Sequence, residues 1–229
     1  MNSVNLIKYF IILITFFALS HSQMQAQQRF SIGVIPEFNL DYKLSERVFV
    51  KHGFELQEIF YNKEDNFNLQ FNKIDVQNIL GFITSEKSSV GVGYLFRIKE
   101  GNRYYHRMTQ QFSFKKAIAG LPISHRLRTD QTFSDEKPTF RFRYRVKTVF
   151  KFKEEALSTG DKYLVTSLET LYIRESQSDD IENRVYLGLG FLINSKSDFE
   201  IGLDWRTDDY LVSGFRNRLW FTASYSYHL

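Results

Sequence analysis

Alternation of apolar and polar residues is the feature that most limits what this chain can fold into. In the segment 219–229, one set of alternate residues reads Leu, Phe, Ala, Tyr, Tyr, Leu and the other reads Trp, Thr, Ser, Ser, His. Side chains of a β-strand point to opposite faces with a period of two, so the segment predicts a strand with one apolar and one mostly polar face. Ends of chains fray unless they are held. We therefore expect a closing strand that is paired on both edges.

The same alternation recurs along the chain between polar turns. It predicts eleven strand segments: 30–40, 47–60, 67–83, 88–98, 103–115, 122–133, 139–153, 162–174, 183–194, 199–207 and 215–229. Most of them have the roughly 9–11 residues that a tilted strand needs to cross a bilayer. Single-chain bacterial barrels have even strand numbers. We expect an all-β, antiparallel, up-and-down transmembrane β-barrel of 10–12 strands, with twelve preferred. The division of two segments is open: 30–40, which Pro36 interrupts, and 67–83, within which the phase changes.

The N-terminus resembles an export signal. An apolar run at 10–19 follows Lys8 and precedes polar residues, which is typical of a signal peptide. We predict a cleaved signal at 1–26, with cleavage after Ala26 preferred over cleavage after Ser22, and a single barrel domain at 27–229. An uncleaved anchor is the alternative, although the run is shorter than the roughly 20 residues of a spanning helix.

Composition narrows the possible functions. The chain has no cysteine, which excludes disulfides and thiolate metal sites. Lys and Arg total 30 against 26 Asp and Glu, so charge balance does not favour nucleic-acid binding. We find no metal or nucleotide motif and expect neither a cofactor nor a metal. Gly91, Gly93, Gly188 and Gly190 alternate within strands and predict small inward positions, and the acidic segments 178–180 and 208–209 are expected to be loops.

Segment 139–146 indicates which face meets lipid. Its alternate residues are Phe140, Phe142, Tyr144 on one side and Arg141, Arg143, Arg145 on the other. One arginine on the lipid face near the midplane costs roughly 2–4 kcal/mol. The aromatic residues should therefore face lipid, and the arginines should face the lumen.

The same parity predicts a lumen network in which acidic residues bridge arginines, since buried charges need partners. Glu169 is expected to be the most important partner. The predicted members are Arg107, Arg126, Arg128, Asp130, Arg141, Arg143, Arg145, Glu169, Arg184, Glu200, Asp204, Arg206 and Arg218.

A succession of short motifs resembles domain of unknown function 2490, a family of bacterial outer-membrane proteins. The motifs are Arg103–Gln111, His125–Arg128, Phe140–Arg145, Glu169, and Asn183-Arg184 before Gly188-Leu189-Gly190. The resemblance implies a barrel in the outer membrane and no particular reaction. The last strand is also similar to the insertion signal of such barrels, through Tyr225, Tyr227 and Leu229.

The leading functional hypothesis is a monomeric outer-membrane barrel, structural or admitting small solutes and anions, whose charged lumen is largely plugged. Its expected partners are membrane lipid, lipopolysaccharide and the barrel-assembly machinery. A lipid-acting enzyme of the lipase or lipid A deacylase type is an alternative, because His52, His106 and His125 have the parity of the apolar face. No serine and acidic residue accompany them, and enzymatic activity is not expected. A soluble periplasmic barrel that binds a small ligand is the second alternative.

Overall fold

The computed structural model describes residues 29–64, 66–118, 121–134, 137–152, 157–176, 178–212 and 214–229. The predicted signal at 1–26 lies outside these residues. The elements are β1 (Arg29–Lys43), β2 (Val48–Asn62), β3 (Asn66–Ser85), β4 (Ser88–Lys99), β5 (Arg103–Ile118), β6 (Leu121–Phe133), β7 (Thr139–Lys151), β8 (Lys162–Glu175), β9 (Ser178–Asn194), β10 (Ser197–Asp208) and β11 (Arg216–His228). Within the described ranges, no helix has the length and apolarity needed to cross a membrane.

The strands form one closed barrel in which each pairs with its neighbours in sequence and β1 pairs with β11. Hairpin neighbours are antiparallel, whereas the closing pair is parallel, with Arg29 opposite Arg216 and Asp41 opposite His228. Each hairpin reverses the chain, so the first and last of an odd number of strands run in the same direction. The all-β barrel with ten to twelve strands is confirmed. The preferred number of twelve is not reached, because the eleven predicted segments correspond one to one to the eleven strands of the described chain.

The last strand is paired on both edges, as its sequence predicts. It is antiparallel to β10 on one side and parallel to β1 on the other. At its end, the Leu229 amide donates to the Asp41 carbonyl at 2.8 Å. On the outer face, the Tyr225 ring stacks on Phe38 with 5.9 Å between centroids. Aromatic stacking therefore bridges the closing seam.

The outward side chains are mainly apolar. In β7, Phe140 and Phe142 are each 49% exposed, whereas Arg143 is 9% exposed. The facing predicted for this strand is therefore confirmed. Rings also gather near strand ends, where Tyr42 stacks on His52 at 5.5 Å and Phe96 on Tyr104 at 5.9 Å. Such aromatic girdles are typical of membrane barrels.

The inside of the barrel is partly apolar, whereas the sequence analysis selected only charged residues for the lumen network. Ile35, Val165 and Trp220 are 0% exposed and Leu171 is 1% exposed. The alternation of β11 predicts that Trp220 points inward. Val165 and Leu171 share the parity of Glu169 on β8, but only the charged residue was selected for the lumen. The lumen is therefore a mixed core in which apolar side chains fill space between ion pairs.

Inward glycines make room for aromatic rings in this core. A Cβ at Gly190 would lie 2.1 Å from Cζ of Tyr163, and one at Gly188 would lie 2.3 Å from the Tyr186 hydroxyl. Their predicted role as small inward positions is confirmed.

The phase change in β3 belongs to one continuous strand of 20 residues. Its pairing with β2 slips between Gln57 and Glu58 and again between Ile59 and Tyr61. Each slip places one extra residue in β3, which is the arrangement of a β-bulge. Strict alternation is therefore lost within the strand, and no division into two strands is needed.

Candidate functional site in the charged lumen

The lumen-facing arginines of β6 and β7 lie side by side. In the register of these strands Arg126 is opposite Arg145, and Arg128 is opposite Arg143. Arg128 is only 5% exposed. Neighbouring buried cations of this kind are stable only when carboxylates lie between them.

Asp130 and Glu169 supply those carboxylates. Asp130, which is 0% exposed, accepts hydrogen bonds from Arg128 Nε at 2.8 Å and Arg143 Nη1 at 3.2 Å. Glu169 accepts from Arg143 Nη2 at 2.7 Å and from Arg126 Nη2 at 2.8 Å. Arg143 therefore joins the two carboxylates into one network.

A second group of charges continues this network towards β11. Arg184 Nη1 lies 3.7 Å from Glu169 Oε2, and Arg184 Nε donates to Glu182 at 2.8 Å. Arg218 donates to Asp208 at 2.9 Å and lies 3.4 Å from Glu182. The predicted members Arg184 and Arg218 are therefore linked through two acidic residues that the sequence analysis did not select.

The sequence offered some indication of both acidic residues, Glu182 and Asp208. Glu182 has the parity of Arg184, but it precedes the predicted start of the strand at residue 183. Asp208 was expected in a loop, whereas it ends β10 and is 3% exposed. The segment 178–180 was also expected to be a loop and instead begins β9. Strands here extend beyond the alternating segment because cross-strand pairing continues through polar residues.

Asp180 has a structural role at this end of the barrel. Its carboxylate accepts the backbone N–H of Asp209 at 2.8 Å and that of Leu211 at 3.2 Å. These contacts hold the backbone of Asp209 and Leu211 against the start of β9.

A separate network on β2–β4 was missed entirely. Lys73 Nζ lies 3.0 Å from both Glu55 and Asp75, and Arg97 Nη2 donates to Asp75 at 2.5 Å. These residues lie on the regular side of the slips between β2 and β3, and Arg97 stands opposite Asp75 in the register of β3 and β4.

The remaining predicted members lie on β9–β11 or at the edge of the main network. Arg206 Nη2 donates to Asp204 at 2.7 Å, and its guanidinium lies 5.7 Å from the centroid of the Trp220 ring. Glu200 accepts a hydrogen bond from the Tyr186 hydroxyl. Arg107 Nε donates to Thr132 Oγ1 at 2.9 Å.

Three cations of β7 differ from the others. Arg141, Arg145 and Lys147 are half-buried in the lumen. In the described part of the chain, no hydrogen bond or ion pair reaches them. Their donors are therefore open to water or to an anion.

The inward charges are mostly basic on one wall of the barrel and of both signs on the wall opposite. Strands β5–β7 carry inward cations with Asp130 as the carboxylate among them, and in the strand order this basic wall lies across from β1 and β11. Glu37, Glu55, Asp204 and Glu200 lie on β1, β2 and β10. Arg206 and Arg218 also face the lumen from β10 and β11, so that wall carries charges of both signs.

His52, His106 and His125, the three histidines with the parity of the apolar face, lie on the outward side of their strands. His106 Nδ1 lies 2.5 Å from the Tyr94 hydroxyl, and His125 Nδ1 lies 2.8 Å from the Tyr144 hydroxyl. His52 is hydrogen-bonded to Asn78. A catalytic base needs a nucleophile within hydrogen-bonding reach. These contacts with Tyr and Asn support an interfacial, structural role.

Comparison with known proteins agrees with the succession of motifs in this lumen. The profile of a family described as protein of unknown function (DUF2490) matches residues 33–211. The chain belongs to this family. The matched range includes β2–β10 complete and most of β1, so the main arginine network is a part of the DUF2490 region.

Other comparisons add little. No curated protein matches the chain significantly. Among solved structures, the siderophore receptor PirA from Pseudomonas aeruginosa shares 13% identity, covering 76% of this chain and 34% of the receptor, with a TM-score of 0.32. The chain thus spans about a third of that receptor, and so low a similarity says nothing further about this DUF2490 protein.

Proposed function

We propose that this DUF2490 protein is an outer-membrane barrel whose lumen is closed to large solutes by its own side chains and takes up small anions at its basic wall. The observation that carries the proposal is the set of Arg141, Arg145 and Lys147, lumen-facing cations without a protein acceptor in the described chain.

The apolar outer face supports the membrane location. Side chains such as Val92, Phe142 and Phe221 are 54%, 49% and 47% exposed, which suits lipid better than water. The predicted signal peptide provides export. Lipid, lipopolysaccharide and the barrel-assembly machinery are then its partners, with Tyr225, Tyr227 and Leu229 contributing the insertion signal.

Filling of the lumen supports a plug. A barrel of this strand number is narrow enough to be occupied by side chains. Buried Trp220 and Leu171 lie among the ion pairs, and glycines such as Gly190 are covered by rings. Passage is therefore limited to small species that move between charged side chains.

The unpaired cations set the sign of the selectivity. A buried guanidinium gains most from a charge-assisted hydrogen bond. Small inorganic anions can supply it at Arg145 and Lys147, whereas the carboxylates of the main network are already occupied by arginines. We expect residual permeation to favour anions over cations.

Fractionation and bilayer recording test the two parts of the proposal. The mature protein should remain in the outer membrane after urea extraction and should show heat-modifiable gel mobility.

In planar bilayers, conductance should be small and anion-selective. Arg145→Glu should move the reversal potential in a KCl gradient towards cation selectivity, while Lys196→Gln in the β9–β10 turn serves as the control. A soluble periplasmic protein would contradict the location, and a large cation-selective wild-type conductance would contradict the anion plug.

A further inference from the structure

A polar group interrupts the apolar outer face between β5 and β6. Gln110 lies opposite Thr129 in the register of these strands. Gln110 and Gln131 exchange amide hydrogen bonds at 3.1 and 3.0 Å, and the Thr129 hydroxyl donates to Gln110 Oε1 at 2.6 Å. We call these three residues the outer amide triad.

The triad is distant from both interfaces. Gln110 is the eighth of the 16 residues of β5, and it is four residues from His106 on one side and four from Phe114 on the other. Four residues span roughly 14 Å along a strand. At the usual tilt this is about 10 Å of depth on each side, within an apolar band about 25 Å tall. The triad thus lies near the middle of the lipid-facing band.

The triad retains unused hydrogen-bonding capacity at this depth. A glutamine amide has two N–H donors. The reciprocal pair of hydrogen bonds uses one N–H of Gln110 and one N–H of Gln131. In the described chain, no acceptor is bound to the second N–H of either glutamine. Hydrocarbon offers no substitute for water, so polar groups at membrane depth gain from a protein partner.

A groove of about 400 Å³ adjoins the triad. Gln110 and Thr129 line it together with apolar side chains, among them Phe82, Val92 and Phe112. Val92 and Phe112 are 54% and 40% exposed. The surface is therefore concave and apolar, with amide and hydroxyl groups along one edge.

We infer that this barrel, expected from its sequence to be a monomer, instead associates in pairs through the face formed by β4–β7, with the outer amide triad of one copy hydrogen-bonded to that of the other. This inference rests on the membrane location proposed above. Lipid acyl chains fit the groove but carry no acceptor at mid-depth, since their esters lie at the interface. A second copy presents amides at the same depth, and a twofold axis brings identical patches together.

The absence of cysteine from the chain permits a clean cross-linking test. Met108, which is 50% exposed and opposite Gln131, is replaced by cysteine and oxidised in lipid vesicles. Ile201→Cys on β10, 44% exposed on the other side of the barrel, is the matched control. We expect Met108→Cys to give a two-chain band and Ile201→Cys to stay mostly uncross-linked. Adding Gln110→Leu and Gln131→Leu should weaken dimerisation on the order of tenfold.

Heat-modifiable mobility, measured in the same vesicles, separates the two proposals. Folded, inserted barrels that cross-link equally at both positions, or that ignore the Gln→Leu changes, overturn the dimer and leave the membrane location intact. A cross-link to a different polypeptide also overturns it. Failure to insert overturns the membrane location itself.

Discussion

Glu169 stands directly opposite Arg145 in the register of β7 and β8, yet no hydrogen bond joins these two side chains. The Glu169 carboxylate instead accepts from Arg143 and Arg126 at 2.7 and 2.8 Å. Arg145, the cation nearest in register, is thereby left without this acceptor. Arg143, two residues away on β7, and Arg126, on the next strand, are neutralised. This offset explains how one carboxylate can stabilise the network and still leave a cation facing the lumen.

Glu169→Ala should destabilise the folded barrel by roughly 1–3 kcal/mol or more, because buried arginines lose their acceptor. The measurement is the urea midpoint of the barrel refolded in vesicles. Glu46→Ala, in the exposed β1–β2 turn, is the control and should leave the midpoint unchanged. Equal midpoints for the two variants would contradict a stabilising role of Glu169.

Gly33→Ala should also destabilise the barrel, by about 1–3 kcal/mol. A Cβ at this position would lie 2.4 Å from the Glu58 carbonyl oxygen and 2.4 Å from the Trp220 ring. Gly53→Ala is a matched control, since its Cβ would meet Asn39 Oδ1 at 3.4 Å. Unfolding followed by tryptophan fluorescence compares the two, and similar midpoints would show that Trp220 does not pack on Gly33.

The parallel closing seam can be tested with an engineered disulfide. Leu40 and Tyr227 are register partners in β1 and β11. The double variant Leu40→Cys with Tyr227→Cys should oxidise readily in the folded barrel and change its unfolded gel mobility. The pair Leu40→Cys with Tyr225→Cys, offset by two residues, should oxidise much less. The reverse order of yields would indicate another closing register.

Leu203→Arg should reduce insertion into vesicles, because this outward side chain of β10 is 43% exposed and an arginine near the bilayer midplane costs roughly 2–4 kcal/mol. Leu203→Phe changes the size and retains apolarity, so its folding yield should match that of the wild type. Yields are measured as the heat-modifiable fraction on gels. If both variants fold equally well, β10 does not face lipid there.

The alternation in the sequence was sufficient to predict the strands, the barrel and the direction in which most side chains point. This succeeds because the period of two is a local property of a strand, and because arginine is far more costly in lipid than in a lumen. Phe142 and Arg143 therefore reveal their faces without knowledge of any neighbour.

Only the tertiary structure decided which charges meet and how the barrel closes. The hydrogen bonds that Arg143 and Arg126 donate to Glu169, the ion pairs of Lys73, and the pairing of Gln110 with Gln131 all depend on register between strands. Register is set by bulges, turn lengths and the closing pair over the whole barrel, and two residues far apart in sequence carry no local sign of it. The odd strand number is of the same kind, because a single strand looks alike whether its neighbour is parallel or antiparallel.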